Sequence, residues 1–413
     1  MLFGECKKSS SKLSEKGLHG VDLGYNVEET LNSLVMYALK EKDEELLQIL
    51  TKSLNSHLEF MLPDGAWDNS WGNRMYKWSY WGSRTCDGSQ PAFGMMAHIN
   101  PAFGTAAVKN TELLQRCTAD GLIHGGPHFI SAGIPPCVHH TFTHAKPLAA
   151  LLDHWEHLPE INKNKELPRT TADGIIHFKD LDVSLFAKGD WRGTVSAYDA
   201  EYHYKYDFRQ ASGGALGVLY HNKVGLLCAA SMAEYHMVEP YNQQPQPDGE
   251  DIPLTPRIEA NYNGKWYSNL FDLKAEVAAK NIESGIDFHV LTQLTDRERT
   301  VLTDARFELG YHFDEQKTTI TAKKVNNESM QGEASLVLPI VSPKDEKITH
   351  LSENSIEIQK GDNKIVVAAN LPMKIMKTKK ERLFNMVPGM EALPIKVAFP
   401  SGQSEISCTI TVV

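Results

Sequence analysis

The chain has 413 residues, 41% hydrophobic and 23% charged, with a formal net charge of -10. That length allows two or three domains with packed cores. The mildly acidic balance gives no bulk attraction for nucleic acid or for an anionic ligand, so any cationic binding surface must be local.

In chain order, residues 1–22 form a polar tail, rich in Lys and Ser at its start, without the apolar stretch of a secretory leader. Helices are predicted next. Asn26, with Glu29 three residues on, reads as a capping box ahead of Val27, Leu31, Leu34, Val35 and Ala38 at helical spacing. Asp43 reads as the cap of a second helix carrying Leu46, Leu47, Leu50 and Leu54, stopped near Leu62-Pro63-Asp64-Gly65. Short helices are expected at Pro91–His98 and Thr111–Cys117, and a last one at Pro147–His157. A polar linker follows, and from Thr170 the texture becomes β: Asp182–Phe186, Thr194–Tyr198, Ala215–Tyr220, Val224–Ala229, Lys317–Lys324, Ala334–Ile340, Ser355–Gln359, Lys364–Ala369, Ile395–Phe399 and Glu405–Val412 all read as strands. The expected division is a tail (1–22), a helical domain (23–160), a linker (161–170) and a β-sandwich (171–413), an α+β multidomain chain. No apolar run approaches the ~18–20 residues of a membrane span. The six cysteines are scattered without a CxxC pair, so they read as packed free thiols rather than a disulfide or zinc framework.

Three segments could carry chemistry. Trp67–Gly88 holds four Trp and two Tyr in 22 residues, interleaved with Asp, Asn and Arg. Sugars offer flat apolar faces to aromatic rings and hydroxyls to amides, and a uronate carboxylate suits a bidentate Arg. Trp67, Trp71, Trp78, Trp81, Asn69, Asn73 and Arg74 are therefore candidate sugar contacts, the alternative being that several of the Trp pack between helices. The second segment is the Gly/Pro/His-rich stretch with His124, His128, His139, His140 and His144, where imidazoles that titrate near neutrality could act as bases. Gly and Pro break helical spacing there and no standard finger pattern is present, so no cofactor is expected; a structural divalent metal is the alternative weighed. The third runs from Tyr198, Asp199 and Glu201 through Tyr202, His203 and Tyr204 to His221, Tyr235, His236, Glu239 and Asn242. Strand alternation would put Tyr202 and Tyr204 on one face, Glu201 and His203 on the other.

This order of parts (helices with a Trp/Tyr/Asn/Arg-rich turn, a His-containing loop, then a large β region whose start is Gly213–His221 and Met232–Pro240) resembles the heparinase II/III-like polysaccharide lyases and related alginate lyases. The resemblance covers residues 23–413. It implies an (α/α) toroid followed by a β-sandwich, an acidic polysaccharide or oligosaccharide as partner, and β-elimination on a uronic acid. It further implies that Asn69 or Asn73 with Arg84 neutralises the substrate carboxylate, that Tyr76 or Tyr80 serves as base or acid, that His139, His140 or His144 is a second base, and that His221 or His236 reaches in from the sandwich. A whole toroid needs about a dozen helices of ~12 residues, more than residues 23–160 can supply. The helical part is therefore expected to be a partial toroid, either a piece of a longer protein, secreted or periplasmic if so, or a natural reduction.

Two other functions fit the same residues. A glycoside hydrolase needs two carboxylates about the bond, and Asp68 with Asp87 would supply them, Glu201 or Glu239 less readily. A non-catalytic glycan binder would lean on Trp78 and Trp81. Nucleotide chemistry and a nucleophile elbow find no motif: GxxxxGK[ST], GxGxxG after a strand and GxSxG are all absent.

Overall fold

The computed structural model describes residues 13–73, 75, 88–136, 138–201, 210–235, 245–246, 252–325, 330 and 332–413; for His139 and His140 it describes the backbone alone. Helices come first and antiparallel sheets follow. They stack in three layers: helices, a five-stranded sheet, and a fourteen-stranded sheet.

The first helix starts earlier than its sequence signal. Asp22 caps Leu23–Tyr25 by accepting the Tyr25 N–H at 3.1 Å, and Asn26 lies inside a π turn, Asn26–Thr30, that runs straight into Leu31–Glu41. Asn26 is thus not the N-cap; its N–H instead closes the first short helix on the Leu23 carbonyl. Lys42 turns the chain in the left-handed region (φ 54°). Asp43 then caps Glu44–Leu58, its carboxylate accepting the Leu46 N–H at 3.0 Å, as its position predicts. The expected short helices prove to be Gln90–Met95 and the much longer Pro101–Arg116, which Asn100 caps and Pro101 opens. The last long helix is Val138–Asp153. Pro147 lies within it and does not start it.

The five-stranded sheet consists of Gly174–Phe178, Val183–Lys188, Trp191–Ser196, Ala215–His221 and Gly225–Ala229, each strand antiparallel to the next. Its middle strands are buried on both faces. Val183 and Leu185 face the helices, packing with Leu31, Leu54, Phe60 and Trp71, while Phe186, Trp191, Leu216 and Leu219 face the larger sheet. The Phe186 ring lies on Phe313 with centroids 3.7 Å apart. This explains the unbroken apolar texture of these strands: alternation is lost when both faces are covered.

The larger sheet is built around two long strands, Gly285–Thr295 and Val301–Phe313. Lys317–Lys324 continues from the second and pairs with Glu405–Val412. Glu333–Val341 pairs with Met390–Ala398 on one side and Arg257–Tyr262 on the other. One face of this sheet is core and the other is open to solvent, hence alternating burial in Lys317–Lys324. Where the sheets meet, Gly213 and Gly214 both take φ of +69°. A Cβ at Gly213 would lie 1.8 Å from the Asn269 carbonyl oxygen, so only glycine fits this close approach.

No helix among the described residues is long and apolar enough to cross a membrane.

Candidate active site

Residues 66–73 thread between the helices and the five-stranded sheet. Trp67 and Trp71 are fully buried. The Trp67 indole N–H donates to Ser89 Oγ at 3.1 Å and its ring packs on Phe93. Trp71 packs on Phe60 and meets Tyr198 edge-on at 5.6 Å. As sugar contacts these two are corrected: they are core residues.

Asp68 is also fully buried, and its place excludes it as a hydrolase carboxylate. One oxygen accepts from Arg169 Nη1 at 2.8 Å and from Thr194 Oγ1; the other accepts the Ser70 N–H and hydroxyl. Arg169 also donates to the Gly193 carbonyl. The pair ties the helical layer to the sheet, and a carboxylate so engaged cannot flank a scissile bond.

Asn69 and Asn73 are buried as well, and neither is open to a polymer. Asn73 holds a well-defined position beneath the surface. Its N–H donates to the Val21 carbonyl at 2.8 Å, and its Oδ1 lies 3.3 Å from the Tyr198 hydroxyl. That hydroxyl accepts the Val21 N–H at 2.8 Å and lies 2.9 Å from the His19 carbonyl, so its single proton serves one of two acceptors. Tyr198, which sequence placed only in a broad third cluster, is thus the hub that fixes Asn73. Its carbonyl in turn receives Gln210 Nε2 and Ser212 Oγ, at 2.9 and 3.0 Å.

Tyr76, Tyr80, Trp78, Trp81, Arg74, Arg84, Asp87, His236, Glu239 and Asn242 lie outside the described residues, as do Tyr202, His203 and Tyr204 and the side chains of His139 and His140. The described flanks of these segments nevertheless come together. The Met75 sulfur accepts the Ala211 N–H at 3.1 Å, and Met75 packs with Ala211, Ala233 and Phe271. The other end of the aromatic segment is held where Asn32 Nδ2 donates to the Gly88 carbonyl at 2.8 Å, and Ser89 and Gln90 bond Asn110. The turn Asp296–Thr300 of the large sheet reaches over to the same region: Arg299 pairs with Glu201, and Arg297 with Glu234 at 3.0 Å. The His-rich loop arrives from the other side. Phe129 packs edge-on to Phe384 in a cluster that includes Tyr235, two residues beyond Ala233. The described flanks Met75, Ala211 and Ala233 therefore meet at one seam between the helical layer and the sheets, and the cluster of Phe129 and Tyr235 brings the His-rich loop beside it.

The described histidines divide. His128 accepts the Glu391 N–H on Nδ1 at 3.0 Å, and burial pushes its pKa down to about 4. It is a neutral bracket between the loop and the sheet. His124 and His144 are buried, at 7% and 1% exposure, which is not where a base that meets a polymer would stand. His221 is corrected outright. It sits edge-on to Trp191 at 4.5 Å, at the opposite end of strand Ala215–His221 from Ala215, which packs with Met75. Six residue steps of strand make that about 20 Å, and burial holds its pKa down at about 4. His57, unmarked in sequence, shows the same shift: its Nδ1 lies 2.7 Å from the Ser53 carbonyl and burial takes its pKa to about 4. Among the described residues no group of three His, Cys, Asp or Glu side chains could hold a metal ion.

Models of two domains match the chain: the ulvan lyase N-terminal domain over residues 1–170 and the ulvan lyase C-terminal domain over 175–413. The chain is 64% identical over 413 residues to a broad-specificity ulvan lyase of Formosa agariphila, covering all of this chain and 65% of that protein. It thus spans 65% of the length of the curated relative it matches. Among solved structures, the heparan sulfate lyase HepC of Pedobacter heparinus overlaps 98% of this chain and 61% of its own, with 9% identity and a TM-score of 0.40. The chondroitin AC lyase of Streptomyces coelicolor A3 overlaps 89% and 49%, with 10% identity and a TM-score of 0.37. Matched by its domain models from one end to the other, the chain belongs to the ulvan lyase family of polysaccharide lyases.

Proposed function

We propose that the chain cleaves a uronic-acid-containing polysaccharide, ulvan first, by β-elimination. The observation that carries this is the 64% identity, over all 413 residues of the chain, to a broad-specificity ulvan lyase. Kinship with the heparinase II/III-like lyases is part of the same reading and rests on the order of parts.

The chemistry needs three groups. A donor must neutralise the uronate carboxylate so that the proton at C5 becomes acidic. A base must take that proton. An acid must protonate the departing oxygen as the C4–O bond breaks and a C4–C5 double bond forms. Preplaced donors toward the developing enolate supply most of the stabilisation. Arg84 and Arg74 fit the first role, Tyr76 or Tyr80 the acid or base, and His139 or His140 the second base; His236 would reach in from the β part. Asn73, fixed by Tyr198, positions the start of the aromatic segment from below, and Asn69 lies in the same buried run. Trp78 and Trp81 remain for stacking on sugar faces.

Ulvan, alginate and glycosaminoglycans incubated with the chain give the test. Growth of ultraviolet absorbance from the unsaturated product on ulvan, lost in Tyr80→Phe or Arg84→Ala at unchanged thermal stability, supports the reading. No absorbance on any acidic glycan would overturn it. The hydrolase alternative is weakened by the burial of Asp68.

A further inference from the structure

Far from the seam, the open end of strand Met390–Ala398 carries an arrangement that elimination chemistry does not use. Lys374, on the edge strand Met373–Ile375, stands directly opposite Lys396 in the antiparallel register. Like charges facing each other across a strand pair are unfavourable. Lys377 lies two residues beyond that edge strand, and all three lysines line a 660 Å³ pocket with Asn261, Ser335 and Glu333.

The nearby carboxylates do not cancel this charge. Glu259 takes Lys396 Nζ at 3.1 Å, but it is also held by Arg257 at 2.8 Å and by the Trp266 indole at 3.2 Å. The pocket wall itself thus carries Lys374, Lys377 and Lys396 against Glu333, three cations to one anion, with Glu259 behind it shared between Lys396 and the buried Arg257, on a chain whose net charge is -10. Lys374 and Lys377 are exposed, while Lys396 is held in place with a side chain 33% exposed. Asn261 and Ser335 add polar groups to the wall. A pocket with excess local cations and neutral polar groups beside them fits an anionic group of carboxylate or sulfate-ester size.

We propose that Lys374, Lys377 and Lys396 form a second, non-catalytic site that grips the anionic groups of an acidic polysaccharide. The site rests on the proposed function for its ligand class, and its position suits a polymer. The same strand carries Glu391, whose N–H binds His128 of the His-rich loop. Lys396 is five residues farther along, about 17 Å of strand. A grip about this far from the loop lies within reach of a polymer of several sugar units, and it would raise affinity for long substrates without touching the reacting unit.

The test measures binding of the whole chain to three polymers that elimination cannot cleave: dextran sulfate, carboxymethyl-dextran and neutral dextran. The double variant Lys374→Gln/Lys377→Gln is compared with the native chain and with Lys163→Gln/Lys165→Gln, which removes two exposed lysines elsewhere. The proposal expects salt-sensitive binding of at least one anionic polymer and none of neutral dextran. The pocket variant should weaken that binding about tenfold, while the control leaves it within twofold. Which anionic polymer binds tells sulfate ester from carboxylate. On cleavable substrate, KM for long chains should rise severalfold, with kcat on the shortest oligosaccharide unchanged. Equal binding by the pocket variant, an equal loss in the control variant, or no binding by the native chain would each overturn the proposal. Binding is read without turnover, so a failure of the lyase reading alone would show as intact, lysine-dependent binding with no unsaturated product.

Discussion

The carboxylate of Asp68 and the guanidinium of Arg169 meet at 2.8 Å, both almost wholly buried, and join segments 101 residues apart. The pair locks the start of the aromatic segment to the sheet beneath it. Removing one partner strands a buried charge, which typically costs about 3–5 kcal/mol. Arg169→Ala and Asp68→Ala should each lower unfolding free energy by that order in urea titrations. A loss below ~1 kcal/mol would show that the pair does not hold the seam.

Trp67 and Trp71 should behave as core residues. Replacing either with Ala leaves a large cavity and should cost about 3–5 kcal/mol. KM for substrate, measured on the fraction that remains folded, should stay near the native value. A raised KM at native stability would return them to the sugar-binding surface.

Arg299 should matter more for activity than for stability. Its ion pair with Glu201 is only about a quarter exposed and its guanidinium also donates to the Phe271 carbonyl, so Arg299→Ala should cost about 1–3 kcal/mol, less than the fully buried Asp68–Arg169 pair. The pair anchors the entrance to the segment after Glu201, however, so kcat/KM should fall tenfold or more. A melting temperature that drops steeply with activity in proportion would show that the turn is merely structural.

Acid should unfold the chain through its buried histidines. Burial takes His57 and His128 from 6.5 to about 4 in the folded state. Above pH 6.5 both are neutral whether folded or not, and their contribution is complete. Between pH 6.5 and 4 the unfolded chain binds protons that the folded chain refuses, so stability falls as pH falls, on the order of 1 kcal/mol per pH unit per histidine. Urea midpoints from pH 8 to 4 should show this slope, and His57→Gln should reduce it. A flat profile would contradict the assignment.

Cys117, Cys228 and Cys408 are buried free thiols whose pKa burial pushes up to about 12. They should resist thiol reagents at pH 8 in the native chain and react fully in denaturant. Site-resolved mass spectrometry separates them from the other cysteines.

Much of this architecture is legible in sequence, and the failures have physical causes. The Asp43 cap was readable because it directly precedes an apolar stripe. Asn26 has the pattern of an N-cap, but the true cap, Asp22, lies one turn earlier and a π turn absorbs the mismatch. Pro147 imitates a helix start, yet Val138–Asp153 accommodates it. Strand Gly285–Thr295 buries Ile286, Phe288, Val290 and Leu294 at every second position, a period-2 signal that is present in sequence but interrupted by the exposed apolar Leu291. The site was harder to read. A Trp in a polar, Gly-rich run looks the same whether it lines a cleft or fills a core; only the sheet packed behind Trp67 and Trp71 decides between the two. Asp68 likewise carries no local mark that separates a catalytic carboxylate from a buried one; Arg169 and Thr194, which surround it, are distant in sequence.

The most direct test of the account is whether cleavage adds water. Ulvan digested by this chain in water enriched with the heavy oxygen isotope should give oligosaccharides that carry no label at the new ends, each with an unsaturated terminal uronate one water lighter than a hydrolysis product. Heavy oxygen at the new reducing end, with no unsaturated product, would contradict elimination and make the chain a hydrolase.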